Sequence, residues 1–158
     1  MGVYFMSIDA KLKTLGITLP NAPAPAANYV PYVISGNLLF ISGQLPFVDG
    51  KLTITGKVGA DVTPEQAQEQ ARLCAINILA QANAACEGDL SRISRVVKLG
   101  GFVACADDFH GQPGVINGAS DLIADIFGDK GQHARFAVGT NALPLNTCVE
   151  IEAIFELA

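Results

Sequence analysis

Residues 149 to 157 read VEIEAIFEL. Val149, Ile151, Ala153, Phe155 and Leu157 share one parity, and Glu150, Glu152 and Glu156 the other. Side chains of an extended strand alternate between two faces, so this run has one face for a core and one that carries charge. A helical winding would scatter the same residues around its circumference. The chain therefore needs a sheet, and something apolar to lay on one side of it.

Two segments have the period to do so. Thr63-Pro64-Glu65-Gln66 opens the first: Thr63 can cap, Pro64 suits the first helical position, and Gln66 completes a capping box. Ala67, Ala71, Cys74, Ile78 and Ala82 recur at helical spacing, which predicts a helix to about Cys86 with Gly88 just beyond it. The second is predicted from about Val115 to Phe127, with an apolar stripe of Val115, Ala119, Leu122, Ile123 and Ile126 and a stop at Gly128. Strand signals surround them. YVPYVISGNLLFISGQLP reads as two strands about a Gly36-Asn37 turn, and FVDGKLTITGKVG as a short hairpin. SRVVKLGGFVACA reads as a strand in which Gly100-Gly101 signals a bulge or a close approach. The last two strands fall at about 134–140 and 147–157.

The order ββ(β)αβαββ predicts an α/β (α+β) chain, with one mixed sheet and two helices on one of its faces. Residues 1–28 end in LPNAPAPAAN, whose prolines suit an extended N-terminal arm, and residues 29–158 form a single domain. Nothing in the chain covers the second sheet face, so several subunits are expected to share it. Composition agrees: half of the 158 residues are hydrophobic and 16% are charged, which excludes disorder and is apolar for a lone monomer.

The formal net charge of −5, with no cluster of Lys or Arg, argues against nucleic acid as a partner. No run of eighteen apolar residues is present, so no membrane association is expected. The opening MGVYFMSIDAKL lacks a basic stretch followed by an apolar one, and no signal peptide is expected. The four cysteines show neither CxxC nor Cys/His spacing and read as free buried thiols of a cytoplasmic protein. Two histidines without acidic or thiol neighbours at ligand spacing give no metal site. Ser42, in ISGQ, lacks the nucleophile elbow.

Arg135 draws attention because it heads an apolar strand. If the last two strands form a hairpin about 140–147, Ala137 faces Glu150, Arg135 faces Glu152, and Arg135 and Glu150 become diagonal neighbours. Arg135 then reads in two ways: as a cross-strand ion-pair partner, or as a fork for a carboxylate ligand.

SGNLLFISGQLP at 35–46, TPEQAQEQARLCAINIL and ARFAVGTNALPLNTCVEIEAI, in this order, resemble the RidA (YjgF/YER057c/UK114, L-PSP endoribonuclease) family. The combination of N-L-x-F-x-S-G-Q-x-P with A-R-x-x-V and V-E-I-E-A carries the resemblance, over roughly residues 28–157. It implies a chorismate-mutase-like fold and a homotrimer whose sheets face inward, with sites in clefts between subunits. It also implies hydrolysis of reactive enamines and 2-imino acids to 2-oxo acids and ammonia, with no metal or organic cofactor. By the resemblance, Arg135 grips the carboxylate of a small-molecule substrate and Glu150 positions the hydrolytic water, with Glu152 as the alternative titrating group. Tyr29 (or Tyr32), Asn117 and the backbone at Gly43 line the pocket. Where the family often has cysteine this chain has Ala137, which can offer substrate only its backbone groups. Phe136 is bulky, and DDFHGQPG is longer than the usual loop, so substrate choice stays open. So do two other functions: a carboxylate- or ketoacid-binding protein without turnover, and the endoribonuclease of the family label.

Overall fold

A computed structural model of the chain describes residues 6–25 and 27–158. The elements are α1 (Ile8–Thr14), β1 (Tyr32–Ser35), β2 (Leu38–Gln44), β3 (Phe47–Val48), β4 (Lys51–Leu52), α2 (Pro64–Ala85), β5 (Ile93–Ala104), α3 (Gln112–Phe127), β6 (Ala134–Thr140) and β7 (Val149–Leu157). The main sheet runs β1-β2-β7-β5-β6, and its only parallel pair is β5–β6. This is the mixed sheet of the sequence reading, with α2 laid against β2 and β7 and α3 against β5 and β6. The capping box forms: Gln66 N donates to Thr63 Oγ1 (3.2 Å) and Thr63 N to Gln66 Oε1 (3.0 Å). No helix among the described residues is long and apolar enough to cross a membrane.

The arm expected over 1–28 is not extended throughout. Residues 8–14 are helical, opened by Ser7, whose Oγ accepts from Ala10 N (3.1 Å). Leu12 is buried, Ile8 packs against the core, and α1 rests on α3. A seven-residue helix is too short to show a clear period, and it holds because α3 covers its one apolar side. The stretch of prolines that follows is pinned by Gln81 Nε2 donating to the Pro23 carbonyl (2.6 Å). The opening MGVYF lies outside the described residues.

The larger correction concerns the last two strands. β6 and β7 are not a hairpin and are not neighbours. β6 pairs in parallel with β5, Leu99 opposite Arg135, after the chain crosses over through α3. β7 runs antiparallel between β2 and β5, at the centre of the sheet. A strand–helix–strand unit returns its second strand parallel to its first. Here β6 takes the outer side of β5, and the inner side is left for β7. The most strictly alternating strand thus has two neighbours, and its apolar parity is buried throughout.

Gly100 and Gly101 mark a close approach and not a bulge, since the β5–β6 register is continuous past them. Ile116 of α3 sits on Gly101, where a Cβ would come within 2.6 Å of its Cδ1. On the other face Phe136 and Glu152 crowd Gly100, at 2.7 and 2.8 Å from the same imagined atom. The helices meet as tightly. A Cβ on Gly118 would collide with the Gln68 carbonyl oxygen, which belongs to α2 and cannot move aside, whereas Gly114 on the same helix has open space.

These two glycines give a matched test. Gly118→Ala should destabilise the chain by about 3 kcal/mol through overpacking. Gly114→Ala should be neutral or stabilising by about 1 kcal/mol through helix propensity. Urea midpoints of the two variants read the difference, and equal midpoints would contradict the close α2–α3 contact.

Candidate functional site

On the face of the sheet without helices, β2 carries a bulge. Ile41 pairs with Ala153 and Gln44 with Ile151, so Ser42 and Gly43 together stand opposite Glu152 alone. The bulge is tied to the N-terminal segment: Ser42 Oγ donates to Val30 O (2.9 Å) and Ser42 N to Pro31 O (3.0 Å). Gln44 Nε2 donates back to Ser42 O (3.0 Å). Over the bulge lies the Glu150 carboxylate, whose Oε1 takes the place a Cβ on residue 43 would need. Only glycine leaves that space.

Gly43, Phe102, Thr140, Leu143, Glu150 and Glu152 line a cleft of ≈ 320 Å³. Glu150 is half-buried, and its carboxyl is held above the usual carboxylate value, first by burial and then by the like charge of Glu152 two residues along the same face. A carboxyl of this kind exchanges protons more readily near neutrality than a free one does.

Arg135 is elsewhere. It pairs with Leu99, whereas Glu150 pairs with Phe102, three positions further along β5 and therefore on the opposite face. The guanidinium lies at the sheet edge against α3, where Nη1 donates to Ser120 Oγ (3.0 Å) and Nη2 to Pro113 O (3.2 Å). The ion pair to Glu150 or Glu152 allowed by the hairpin register does not form within the chain. The one ion pair among the described residues joins Arg92 to Glu87 (3.9 Å). A half-buried guanidinium thus lacks a carboxylate among the described residues.

The structure therefore brings Gly43 and Glu150 together and keeps Arg135 apart from them in a single chain. Ala137 shares the helix-facing side of β6 with Arg135, opposite Gly101. Asn117 is half-buried on α3, one residue past the Ile116 that seats on Gly101. Tyr29 is 47% exposed and lines a narrow crevice with Gly43, Pro25 and Gln81, which Glu150 does not line. Tyr32 packs against the core instead. Phe136 lies on the open face, edge-on to Phe102 (5.1 Å between centroids), with Lys98 Nζ over its ring at 5.3 Å. All four cysteines are free and buried, and burial pushes Cys148 up to about 11.

Sequence reasoning missed Phe102, Thr140 and Leu143 in the cleft, and Ser120 and His133 beside Arg135. His133 had a signal, since it precedes Arg135 by two residues and shares its parity. The others follow only from strand order, which the sequence left open.

The sequence profile of the family described as "YjgF/chorismate mutase-like, putative endoribonuclease" matches residues 9–157. The chain belongs to the YjgF family. Among its relatives, Protein TCP17 of Trypanosoma cruzi is 50% identical over 151 residues, covering 95% of this chain and 94% of that one. The YjgF-family fold recurs in the crystal structure of Atu1372 from Agrobacterium tumefaciens, a protein of unknown function, at 58% identity and a TM-score of 0.90, covering 96% of this chain and 92% of that one. It recurs also in Escherichia coli TdcF with bound serine, at 26% identity and a TM-score of 0.64, covering 87% and 94%.

The two glutamates allow a direct check. Removing the Glu152 charge favours ionised Glu150, so Glu152→Gln should move the Glu150 titration midpoint down, yet leave it above the ordinary 4.5 because burial persists. Carbon-13 NMR of the side-chain carboxyls measures it, and an unmoved midpoint would remove Glu152 as a cause.

Proposed function

We propose that this protein hydrolyses 2-imino acids to 2-oxo acids and ammonia, as a 2-iminobutanoate/2-iminopropanoate deaminase, in a site shared between copies of the chain. The observation that carries the reading is Arg135, a half-buried guanidinium with two of its N–H groups on neutral acceptors and no carboxylate on it among the described residues. A charge held in that state suits an anionic ligand, and a planar fork suits a carboxylate. The serine held by TdcF, a relative with the same fold, is a small amino-acid carboxylate and supports the same ligand class.

The carboxylate on Arg135 fixes the substrate, and Glu150 orients a water toward the imine carbon. That carbon is already electrophilic, so water needs only a base. Glu150 takes one proton as the C–O bond forms and the C=N electrons move onto nitrogen. Glu150 returns that proton to the nitrogen to give the carbinolamine. It then takes the carbinolamine hydroxyl proton and passes it to the amine as the C–N bond breaks, so that ammonia leaves and the 2-oxo acid remains. No thiol takes part, in keeping with Ala137.

Because Arg135 and Glu150 lie on opposite faces of one sheet, joint action requires Arg135 of one copy and Glu150 of another. The open face supplies the means of assembly. Val33, Phe40, Phe102 and Val138 are 50%, 40%, 37% and 43% exposed there, beside half-buried Phe136 and Ile154. Three copies with these faces turned inward would bury the patch, and a homotrimer is the assembly proposed. Four buried free thiols suit a reducing compartment, the cytoplasm.

Two other readings are separated by the same experiments. A carboxylate-binding protein without turnover would bind pyruvate and leave imine half-lives unchanged. Endoribonuclease activity, the word in the family's description, would require cleavage of RNA that Glu150→Gln abolishes. The net charge of −5 disfavours it.

Arg135→Lys keeps the charge and loses the fork, so kcat/KM for 2-iminopropionate, read by coupled pyruvate release, should fall about ten- to a hundredfold. Parental turnover in that variant would end the fork account. Sharing of the site is tested by complementation. Arg135→Ala and Glu150→Gln are each inactive alone, but chains refolded together at equal ratio should recover about a quarter of parental activity, since mixed trimers rebuild one intact site. No recovery would place both residues of a site on one chain.

A further inference from the structure

Arg135 reaches the sheet edge on β6, a strand with a neighbour on one side only, where a long side chain would otherwise sweep through many rotamers. It is held by an arrangement that begins at Gly131. This glycine ends the 3-10 turn after α3 and is buried, and a Cβ on it would come within 2.7 Å of the Ile123 carbonyl oxygen. Its own carbonyl is therefore fixed against α3. His133 Nδ1 lies 2.6 Å from that carbonyl, which can only accept, so Nδ1 carries the proton. In the neutral ring Nε2 is then an acceptor. It lies 2.9 Å from Ser120 Oγ, so that with the ring neutral the serine hydroxyl donates to it. With its proton so directed, Ser120 Oγ turns a lone pair outward, and Arg135 Nη1 donates to it at 3.0 Å. The Pro113 carbonyl accepts from Nη2 at 3.2 Å and fixes the plane of the guanidinium. Three of its five N–H groups remain for a ligand.

We propose that Ser120 is a positioning residue for carboxylate binding: with its hydroxyl proton directed to His133, its oxygen holds the Arg135 fork in the orientation that receives the ligand. The proposal rests on the carboxylate-binding reading of Arg135 given above. Ser120 does not touch the substrate. It acts through Arg135, and His133 acts only through Ser120. The class of ligand is a small 2-oxo or 2-imino acid, whose carboxylate meets a fork already oriented before it arrives.

A fork that holds the carboxylate equally in ground and transition states affects KM and leaves kcat alone. Ser120→Ala should thus raise KM for 2-iminopropionate and the calorimetric Kd for pyruvate about three- to tenfold, with kcat kept within about twofold. Alanine is the better helix former, so α3 should not suffer. A merely structural loss would lower the fraction of working sites, reducing apparent kcat at unchanged KM. Ser120→Thr retains the hydroxyl and should restore parental values. His133→Ala should raise Kd as well, and in the Ser120→Ala background it should add nothing. Parental Kd and KM in Ser120→Ala, or full additivity of the two substitutions, would overturn the proposal. Arg135→Ala separates this failure from a wider one. If it raises Kd for pyruvate while Ser120→Ala does not, only the positioning role is lost. If Arg135→Ala also leaves Kd unchanged, the carboxylate reading of Arg135 falls, and the positioning role with it.

Discussion

The contact of Ile116 on Gly101 governs this structure. It sets α3 directly on β5, closer than any side chain at residue 101 would permit. From that depth α3 meets α2 at Gly118, leads into the turn that buries Gly131, and delivers β6 to the outer side of β5. Ser120, Gly131 and Pro113, which hold His133 and Arg135, all belong to α3 or to its exit. Raising α3 by the thickness of one methyl group would shift them together. Interiors at native packing density pass such displacements on without absorbing them.

Glycine has a related use across the sheet. Gly43 opens room for the Glu150 carboxylate, and Gly100 for Phe136 and Glu152. In each case the missing Cβ lets a carboxylate or a bulky ring lie flat on the backbone of a neighbouring strand. The cleft is thus shaped as much by absent side chains as by present ones. Its acid-base character follows from that closeness: Glu150 is pressed into a partly desolvated position with a like charge beside it, and both effects favour its neutral form.

The sequence showed much of this and hid a definite part. Period-two alternation in VEIEAIFEL and period-3.6 spacing in the two long helices are local signals, and the strands and helices they mark are present, with α3 beginning three residues earlier than the apolar stripe suggested. Gly43 and Glu150 were each named as pocket residues through the family resemblance, and the structure puts the two in contact. The partner of β6 was not legible, because alternation tells which face a residue takes and is silent on which strand lies beside it. A hairpin between consecutive strands was the economical assumption, and the parallel return through α3 overrode it. Arg135 lost its supposed carboxylate neighbours through that one change. Ser120 could not have been found, since one serine among helical residues carries no pattern until β6 is laid next to α3.

The position of β7 has a consequence for how the molecule can be made. The last strand in the sequence is the middle strand of the sheet, with β2 on one side and β5 on the other. During synthesis β1–β2 and β5–α3–β6 can each form locally, but no strand joins the two halves of the sheet until residues 149–157 have emerged, and until then it is α2, packed on both β2 and α3, that spans them. The ladder then closes contacts across more than a hundred residues in one step, Leu38 with Glu156 among them. Until that moment two sheet edges and the part of α2 that packs on β7 wait uncovered. A nascent chain of this architecture is therefore most exposed to aggregation just before residues 149–157 emerge, and a truncation that removes β7 leaves two half-sheets without the strand that makes them one.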